Sequence, residues 1–152
     1  IEPSDVKFAA GLFAGEGTFY LSTAKKPSSG KSYIKPVAAV KMNERDEEML
    51  RAVHEALDGI GRIEDCPSDN TKLWQINDKK ELKLLRDSLQ EYGGRLWETS
   101  VKYENFRIWS DVLDIYADGL TYDEDRKEMA RIALDRGLNG TENERLKKAA
   151  GY

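Results

Sequence analysis

The stretch AAGLFAGEGTFYL, residues 9–21, is the most informative part of this chain. It begins as an apolar helix, places the acid Glu16 between Gly15 and Gly17, and then changes into a β-branched and aromatic run. The C-terminal end of a helix dipole is negative, so a carboxylate there does not favour helix stability. The position of Glu16 therefore predicts a chemical role for this side chain.

Sequence patterns around this stretch predict an α+β chain with the element order α-β-β-α-β-β-α and C-terminal helices. Ser4 is expected to cap a first helix that runs from Asp5 to about residue 14. Strands at about 18–24 and 33–42 are expected to be joined by the loop KKPSSGKS, since proline, serine and glycine favour turns. The remaining predicted elements are a helix opened by Asn43 with Asp46 at its capping-box position, strands at about 61–66 and 71–76, a helix from the cap Asn77 to Gly93–Gly94, and helices near 100–116, near 123–136 and after Thr141.

Length and composition predict a single domain over residues 1–152, with a core at about 4–116 and a helical tail at about 117–152. No apolar run approaches the roughly 18 residues of a membrane span, so no membrane partner is expected. The single cysteine, Cys66, excludes an intrachain disulfide and favours an intracellular location, in a prokaryotic cytoplasm or inside an organelle. The chain contains one cysteine and one histidine, which are too few ligands for a structural zinc site, so such a site is not expected.

The charge of the chain is unevenly distributed. The formal net charge of −4 argues mildly against a nucleic-acid partner. However, the span 22–41 holds five lysines and no acid, whereas the acids concentrate in 44–48, 64–69 and 118–128. One face of the protein is therefore expected to be basic although the total is acidic.

Two nucleotide-binding motifs are excluded by their spacing. SSGKS, residues 28–32, resembles the end of a Walker A loop, but Lys25 occupies the position of the required first glycine. The dinucleotide fingerprint follows a strand and precedes a helix, whereas Gly15-Glu16-Gly17 follows a helix and precedes a strand.

The same stretch resembles the signature of the LAGLIDADG homing endonucleases, which reads approximately L-A-G-L-I/F-D/E-G-D/E-G-S/T-F. Ala9 and Ala14 depart from the pattern, and Ala14 replaces a frequent but non-essential acid. The predicted element order over residues 4 to about 116 also matches the family core. The residues that match the signature are Ala10, Gly11, Leu12, Gly15, Glu16, Gly17 and Thr18, with Phe19 as the apolar follower.

The resemblance implies a four-stranded antiparallel saddle that binds double-stranded DNA. It also implies an intron-encoded enzyme that cleaves a long, specific site by Mg²⁺-dependent hydrolysis of the phosphodiester bonds, with Mn²⁺ able to substitute. By the resemblance, Glu16 and the Gly15 carbonyl hold the metal. A carboxylate and a carbonyl are hard oxygen donors of the kind that Mg²⁺ prefers.

A single copy of the motif implies a homodimer. LDGIGRI, residues 57–63, echoes the motif, but its glycines are better interpreted as the end of the second helix. In the family, the motif helices of two units pack through their small residues, which assigns Gly11 and Gly15 to the dimer interface. A two-fold symmetric dimer reads a pseudo-palindromic site.

The strands are expected to contact the DNA, because alternate side chains of a two-stranded ribbon point into the major groove. On the first strand Tyr20 and Ser22 share a face, while Phe19 and Leu21 face the core. The full set of expected DNA-binding residues is Tyr20, Ser22, Lys25, Lys26, Lys31, Lys35, Lys41, Arg62, Glu64, Thr71 and Gln75.

Further catalytic residues are expected at two places. The family often keeps a polar residue after the second strand, a role that falls to Glu44 or Arg45, and a lysine ahead of the helix after the fourth strand, which corresponds to Lys102. A cation near the scissile phosphate stabilises developing negative charge.

Two other functions share this fold. One is a maturase that binds intron RNA and assists splicing, and the other is a DNA-binding regulator without chemistry. The presence of Glu16 favours cleavage over a purely regulatory role, but it does not separate cleavage from maturase activity.

Overall fold

The computed structural model describes residues 1–25, 32–118, 123–138 and 143–151. Two short 3-10 helices, Glu44–Asp46 and Trp97–Thr99, precede the second and the fourth α-helix. The predicted element order is confirmed. The strands are β1 (Gly17–Lys25), β2 (Ser32–Asn43), β3 (Arg62–Cys66) and β4 (Thr71–Ile76), and the helices are α1 (Pro3–Glu16), α2 (Glu47–Ala56), α3 (Lys79–Tyr92), α4 (Val101–Ala117), α5 (Asp123–Arg136) and α6 (Asn143–Ala150).

The strands form one antiparallel sheet in the order β1-β2-β4-β3. In the central ladder Val40 of β2 pairs with Trp74 of β4, and Asn43 pairs with Thr71. In the β3–β4 hairpin Ile63 pairs with Trp74, and Arg62 pairs with Gln75. Because side chains alternate along each strand, this register fixes which residues share a face.

Three predicted helix starts are corrected by the structure. The N-cap of α1 is Glu2 instead of Ser4, and Pro3 lies in its first turn, where a missing N–H is harmless. The cap of α3 is Asp78 instead of Asn77, since the Asp78 carboxylate accepts hydrogen bonds from the N–H groups of Lys80 and Glu81. Asn43 caps the 3-10 turn and not an α-helix.

The described residues divide into two compact units, Ile1–Thr18 with Ala38–Glu104 and Phe19–Val37 with Asn105–Tyr152. In the first unit, the fully buried Trp74 donates from Nε1 to the Ile60 carbonyl at 2.9 Å. Its ring lies 5.8 Å from that of Phe13, which comes from α1. The core of this unit therefore joins the motif helix directly to the sheet.

The second unit has a core of aromatic rings. Phe19 of β1 meets Phe106 and Trp109 of α4 at ring distances of 5.1 and 5.0 Å. Asn105 Nδ2 donates to the Phe19 carbonyl at 2.8 Å, so a buried amide fixes α4 on the strand. Among the described residues, no helix is both long and apolar enough to cross a membrane.

Candidate active site and sheet surface

Glu16 is the last residue of α1, and its side chain is exposed. The next residue, Gly17, is extended at φ −87° and ψ 163°, and its N–H donates to the Phe13 carbonyl. A Cβ at position 17 would lie 2.5 Å from the Phe13 ring and 2.6 Å from Phe13 Cα. Only glycine therefore lets the chain turn from helix to strand here, and this turn leaves the Glu16 carboxylate at the end of the sheet.

The outer face of α1 is built from small and exposed apolar residues. Gly11 and Gly15 are exposed, and apart from the adjoining backbone of α1 no described atom lies within 4 Å of a Cβ built on either one. Phe8, on the same face by helical spacing, is 54% exposed, and Leu12 is half-buried. Phe8 and Leu12 thus lie on the face opposite to the core. The buried inner face consists of Val6, Ala9, Ala10 and Phe13.

The donors at the end of α1 suit a hard divalent cation. Glu16 supplies a carboxylate, and the last carbonyls of a helix have no intrahelical partner. Within the described parts of the chain, no three acidic, histidine or cysteine side chains lie close enough together to hold a metal ion. A metal at Glu16 would therefore need donors other than a cluster of described acidic, histidine or cysteine side chains.

Glu44 and Arg45 lie at the same end of the sheet as Glu16. β1 begins at Gly17 and β2 ends at Asn43, and these two strands are antiparallel neighbours. Asn43 Oδ1 accepts from the Arg45 N–H at 2.9 Å, which fixes the turn after β2. Both predicted side chains are exposed, so a carboxylate and a guanidinium lie at the end of the sheet where α1 ends.

Lys102 was expected ahead of the helix that follows the fourth strand. It lies instead in the first turn of α4, with α3 between it and β4, and it is half-buried. The neighbouring Tyr103 meets the ring of Trp97 edge-on at 5.6 Å, and its N–H donates to Ser100 Oγ at 3.1 Å. These contacts hold the start of the helix in place. The catalytic role of Lys102 stays a prediction.

The register places Lys41 of β2 and the predicted residues of β3 and β4 on one face of the sheet. Lys41 pairs with Leu73, and Leu73 in turn pairs with Glu64. The opposite face carries Val40 and Trp74, which are fully buried. The side chains that share the open face are Lys41, Arg62, Glu64, Thr71 and Gln75.

The remaining predicted DNA-binding residues belong to the second unit. Tyr20 and Ser22 are half-buried and alternate along β1 with the buried Phe19 and Leu21, as predicted. Lys35 is exposed on β2. Lys26 and Lys31 lie outside the described residues, and the side chain of Lys25 is not described either.

Two cations of the open face are paired with carboxylates. Arg62 Nε lies 2.8 Å from Glu64 Oε1, and Lys41 Nζ lies 2.5 Å from Asp69 Oδ2. The hydrogen bond and charge of Asp69 raise the pKa of Lys41, and Lys41, helped by Thr71, lowers the pKa of Asp69. Sequence reasoning missed Asp69. The residues PSDN, 67–70, predict a turn, but they do not indicate which residue of a neighbouring strand lies opposite Asp69.

One family model matches this chain. The model of the family described as LAGLIDADG endonuclease matches residues 9–113, more than half of the chain. No curated protein sequence matches the chain significantly.

Solved structures share the fold at low sequence identity. The crystal structure of the homing endonuclease I-TnaI superposes with a TM-score of 0.80 at 20% identity, covering 99% of this chain and 97% of that one. The archaeal intron-encoded homing endonuclease I-Vdi141I, complexed with DNA, gives 0.77 at 21% identity, covering 99% and 97%. The LAGLIDADG meganuclease I-CpaMI, bound to uncleaved DNA, gives 0.80 at 22% identity. There the match covers 99% of this chain and only 48% of the other, so this chain spans about half of that protein.

Proposed function

The chain belongs to the LAGLIDADG endonuclease family, and on that premise we propose that it is a site-specific, Mg²⁺-dependent endonuclease that cleaves double-stranded DNA as a homodimer. The observation that carries the proposal is the exposed Glu16 carboxylate at the end of a helix whose outer face is bare. We extend intron homing to this chain as part of the proposal, since an archaeal endonuclease described as intron-encoded has the same fold.

The homodimer is supported by the outer face of α1. A glycine inside a helix costs about 1 kcal/mol relative to alanine, and no described atom of the chain requires a glycine at position 11 or 15. Small residues of this kind let two helix backbones approach closely. Packing of α1 against α1 of a second copy would cover Phe8 and bring the two Glu16 carboxylates to one place.

Mg²⁺ fits this arrangement because the chain offers hard oxygen donors at the end of α1, namely the Glu16 carboxylate and the Gly15 carbonyl. A second copy and the DNA phosphates would supply the further donors that one described chain lacks. When bound, the metal supplies an activated water and stabilisation of the leaving oxygen. The Lys102 ammonium stabilises charge on the scissile phosphate, and Glu44 and Arg45 orient water at the sheet end.

DNA binding by an acidic protein is supported by the position of its cations. Lys35 and Lys41 point from exposed positions on β2, and the lysine-rich span 22–41 carries no acid. We propose that Lys25, Lys26 and Lys31 meet phosphates, while Lys35 and Lys41 meet base edges with Tyr20, Ser22, Thr71 and Gln75. Binding is then expected to weaken with salt by a slope of about −0.9 in log affinity for each phosphate contact.

Glu16→Gln tests the proposal. Wild-type protein with Mg²⁺ first selects its cleaved sites from a randomised duplex library, and both proteins are then assayed on the best site. Because the substitution removes charge without changing shape, cleavage is expected to fall about 100-fold or more while the Kd for DNA stays within about threefold.

Glu55→Gln is the matched control, since Glu55 is an exposed acid on α2 away from the end of α1. It is expected to cleave like the wild type. Full cleavage by Glu16→Gln would overturn the metal-ligand assignment, and a library from which no site is ever cut would overturn the proposed function.

A further inference from the structure

Asp69 lies in the turn between β3 and β4, at the edge of the open face of the sheet. Its carboxylate accepts from Thr71 Oγ1 at 2.5 Å and from the Thr71 N–H. Its own N–H donates to the Cys66 carbonyl at 3.3 Å, and the following Asn70 adopts φ +58°. The carboxylate therefore has hydrogen-bond donors within its own hairpin in addition to Lys41.

The other oxygen of this carboxylate holds Lys41. The Asp69 Oδ2 to Lys41 Nζ distance is 2.5 Å, and the two side chains are 44% and 50% exposed. The pairing is possible because β2 and β4 bring Asn43 opposite Thr71, two residues from each partner. An ammonium has three N–H donors, so Lys41 keeps donors directed away from the turn.

We propose that Asp69 is a positioning residue that determines base preference by holding Lys41 on the open face of the sheet. The inference rests on the proposed function, since it requires that this face reads DNA. A lysine that is free to move contacts phosphates without regard to sequence, whereas a lysine held beside a carboxylate is kept from phosphates by repulsion between the two anions. The remaining ammonium donors then suit the O6 and N7 acceptors of guanine in the major groove.

The ion pair itself adds little to stability. Exposed pairs of this kind contribute little to folding, so the loss of this pair alone is expected to leave the stability of the chain nearly unchanged. A second lysine–aspartate pair, which lies on the β3–β4 hairpin, can be compared with the pair of Lys41 and Asp69. Lys72 is bonded to Asp65 on the opposite face, which packs toward the helices, and it also reaches Glu47 of α2 at 3.3 Å.

Asp69→Asn tests the inference, because asparagine keeps the turn and removes the charge. The cleaved-site library and binding titrations are repeated with this variant and with Asp65→Asn as the matched control. At one base pair in each half-site, preference for guanine is expected to fall about tenfold for Asp69→Asn. The salt slope is expected to become steeper by about one for each subunit, since Lys41 is released toward phosphate. Asp65→Asn is expected to leave both quantities unchanged.

The double variant Lys41→Met with Asp69→Asn separates positioning from a direct effect of Asp69. In the Lys41→Met background, Asp69→Asn is expected to add no further change in base preference. An unchanged preference in Asp69→Asn, or an equal change in the Lys41→Met background, would overturn the inference while leaving the endonuclease intact. A wild-type protein that selects no site would instead overturn the proposed function.

Discussion

Three glycines lie within seven residues of one helix end, and the chain itself requires only one of them. At Gly17 a Cβ would collide with the backbone and the ring of Phe13. At Gly11 and Gly15 the same Cβ would meet no described atom within 4 Å. The comparison separates a glycine that the fold requires, Gly17, from two glycines that no described contact explains, Gly11 and Gly15.

The difference is one of energy as well as space. Gly17 has an extended backbone that any residue can adopt, so only the close approach of Phe13 requires glycine there. Gly11 lies in mid-helix, where alanine is favoured by about 1 kcal/mol. No contact among the described residues explains this stability penalty, which is why we propose a second copy on this face.

Gly17→Ala is expected to have the largest effect. The added Cβ must displace the Phe13 backbone, because its Cα at 2.6 Å and carbonyl oxygen at 2.7 Å cannot rotate away. We expect the free energy of unfolding to fall by about 3 kcal/mol, measured by denaturant titration of the monomeric form. An unchanged midpoint would show that the motif turn tolerates a side chain and would remove the contrast among the glycines.

Gly11→Leu is expected to separate the proposed dimer without unfolding the chain. A leucine at this exposed position has room in the monomer but prevents close packing of two helices. The dimer Kd is expected to rise about 30-fold, measured by sedimentation equilibrium. Arg51→Leu on the exposed face of α2 is the control for added apolar surface, and a dimer equally stable in both variants would reject α1 as the interface.

Gly11→Ala sharpens the comparison by giving opposite signs in one variant. In the monomer, the unfolding free energy is expected to rise by about 1 kcal/mol, since alanine favours the helix. In the dimer, the same methyl group intrudes on the interface, so the association constant is expected to fall. Denaturation at protein concentrations below and above the dimer Kd measures both, and a gain of equal size at both concentrations would contradict the interface.

Acid titration is expected to give the smallest effect, on the ion pairs that Lys72 forms with Asp65 and Glu47. Lys72 lowers the pKa of Asp65 below its ordinary 3.8, and Arg51 with Lys72 lowers that of Glu47 below 4.5. Lowered folded-state pKa values mean that this stability is present above pH 4.5 and is lost as the pH falls through them. Lys72→Met is expected to flatten the decline of the thermal midpoint between pH 5 and 3, and an unaltered decline would place the acid-sensitive groups elsewhere.

The sequence predicted the order of the elements because each carries its own periodicity or turn signal. It also predicted the placement of Glu16, since a motif of adjacent residues needs no tertiary information. The start of α3 was not predicted correctly, because Asn77 and Asp78 are both good caps. In the structure it is the Asp78 carboxylate that accepts from the N–H groups of Lys80 and Glu81. The contact between Lys41 and Asp69 was beyond sequence reasoning, because it depends on the register between β2 and β4.

The strand order β1-β2-β4-β3 has a consequence for how the chain folds. β3 and β4 are joined by a short turn and pair as a hairpin, a structure that forms within about 1–10 μs. β2 can pair with β4 only after the segment that contains α2 and β3 has been closed into a loop. This closure costs conformational entropy before the contacts between β2 and β4 stabilise the sheet. The pairing of Val40 with Trp74, more than the hairpin, is therefore expected to set the folding rate.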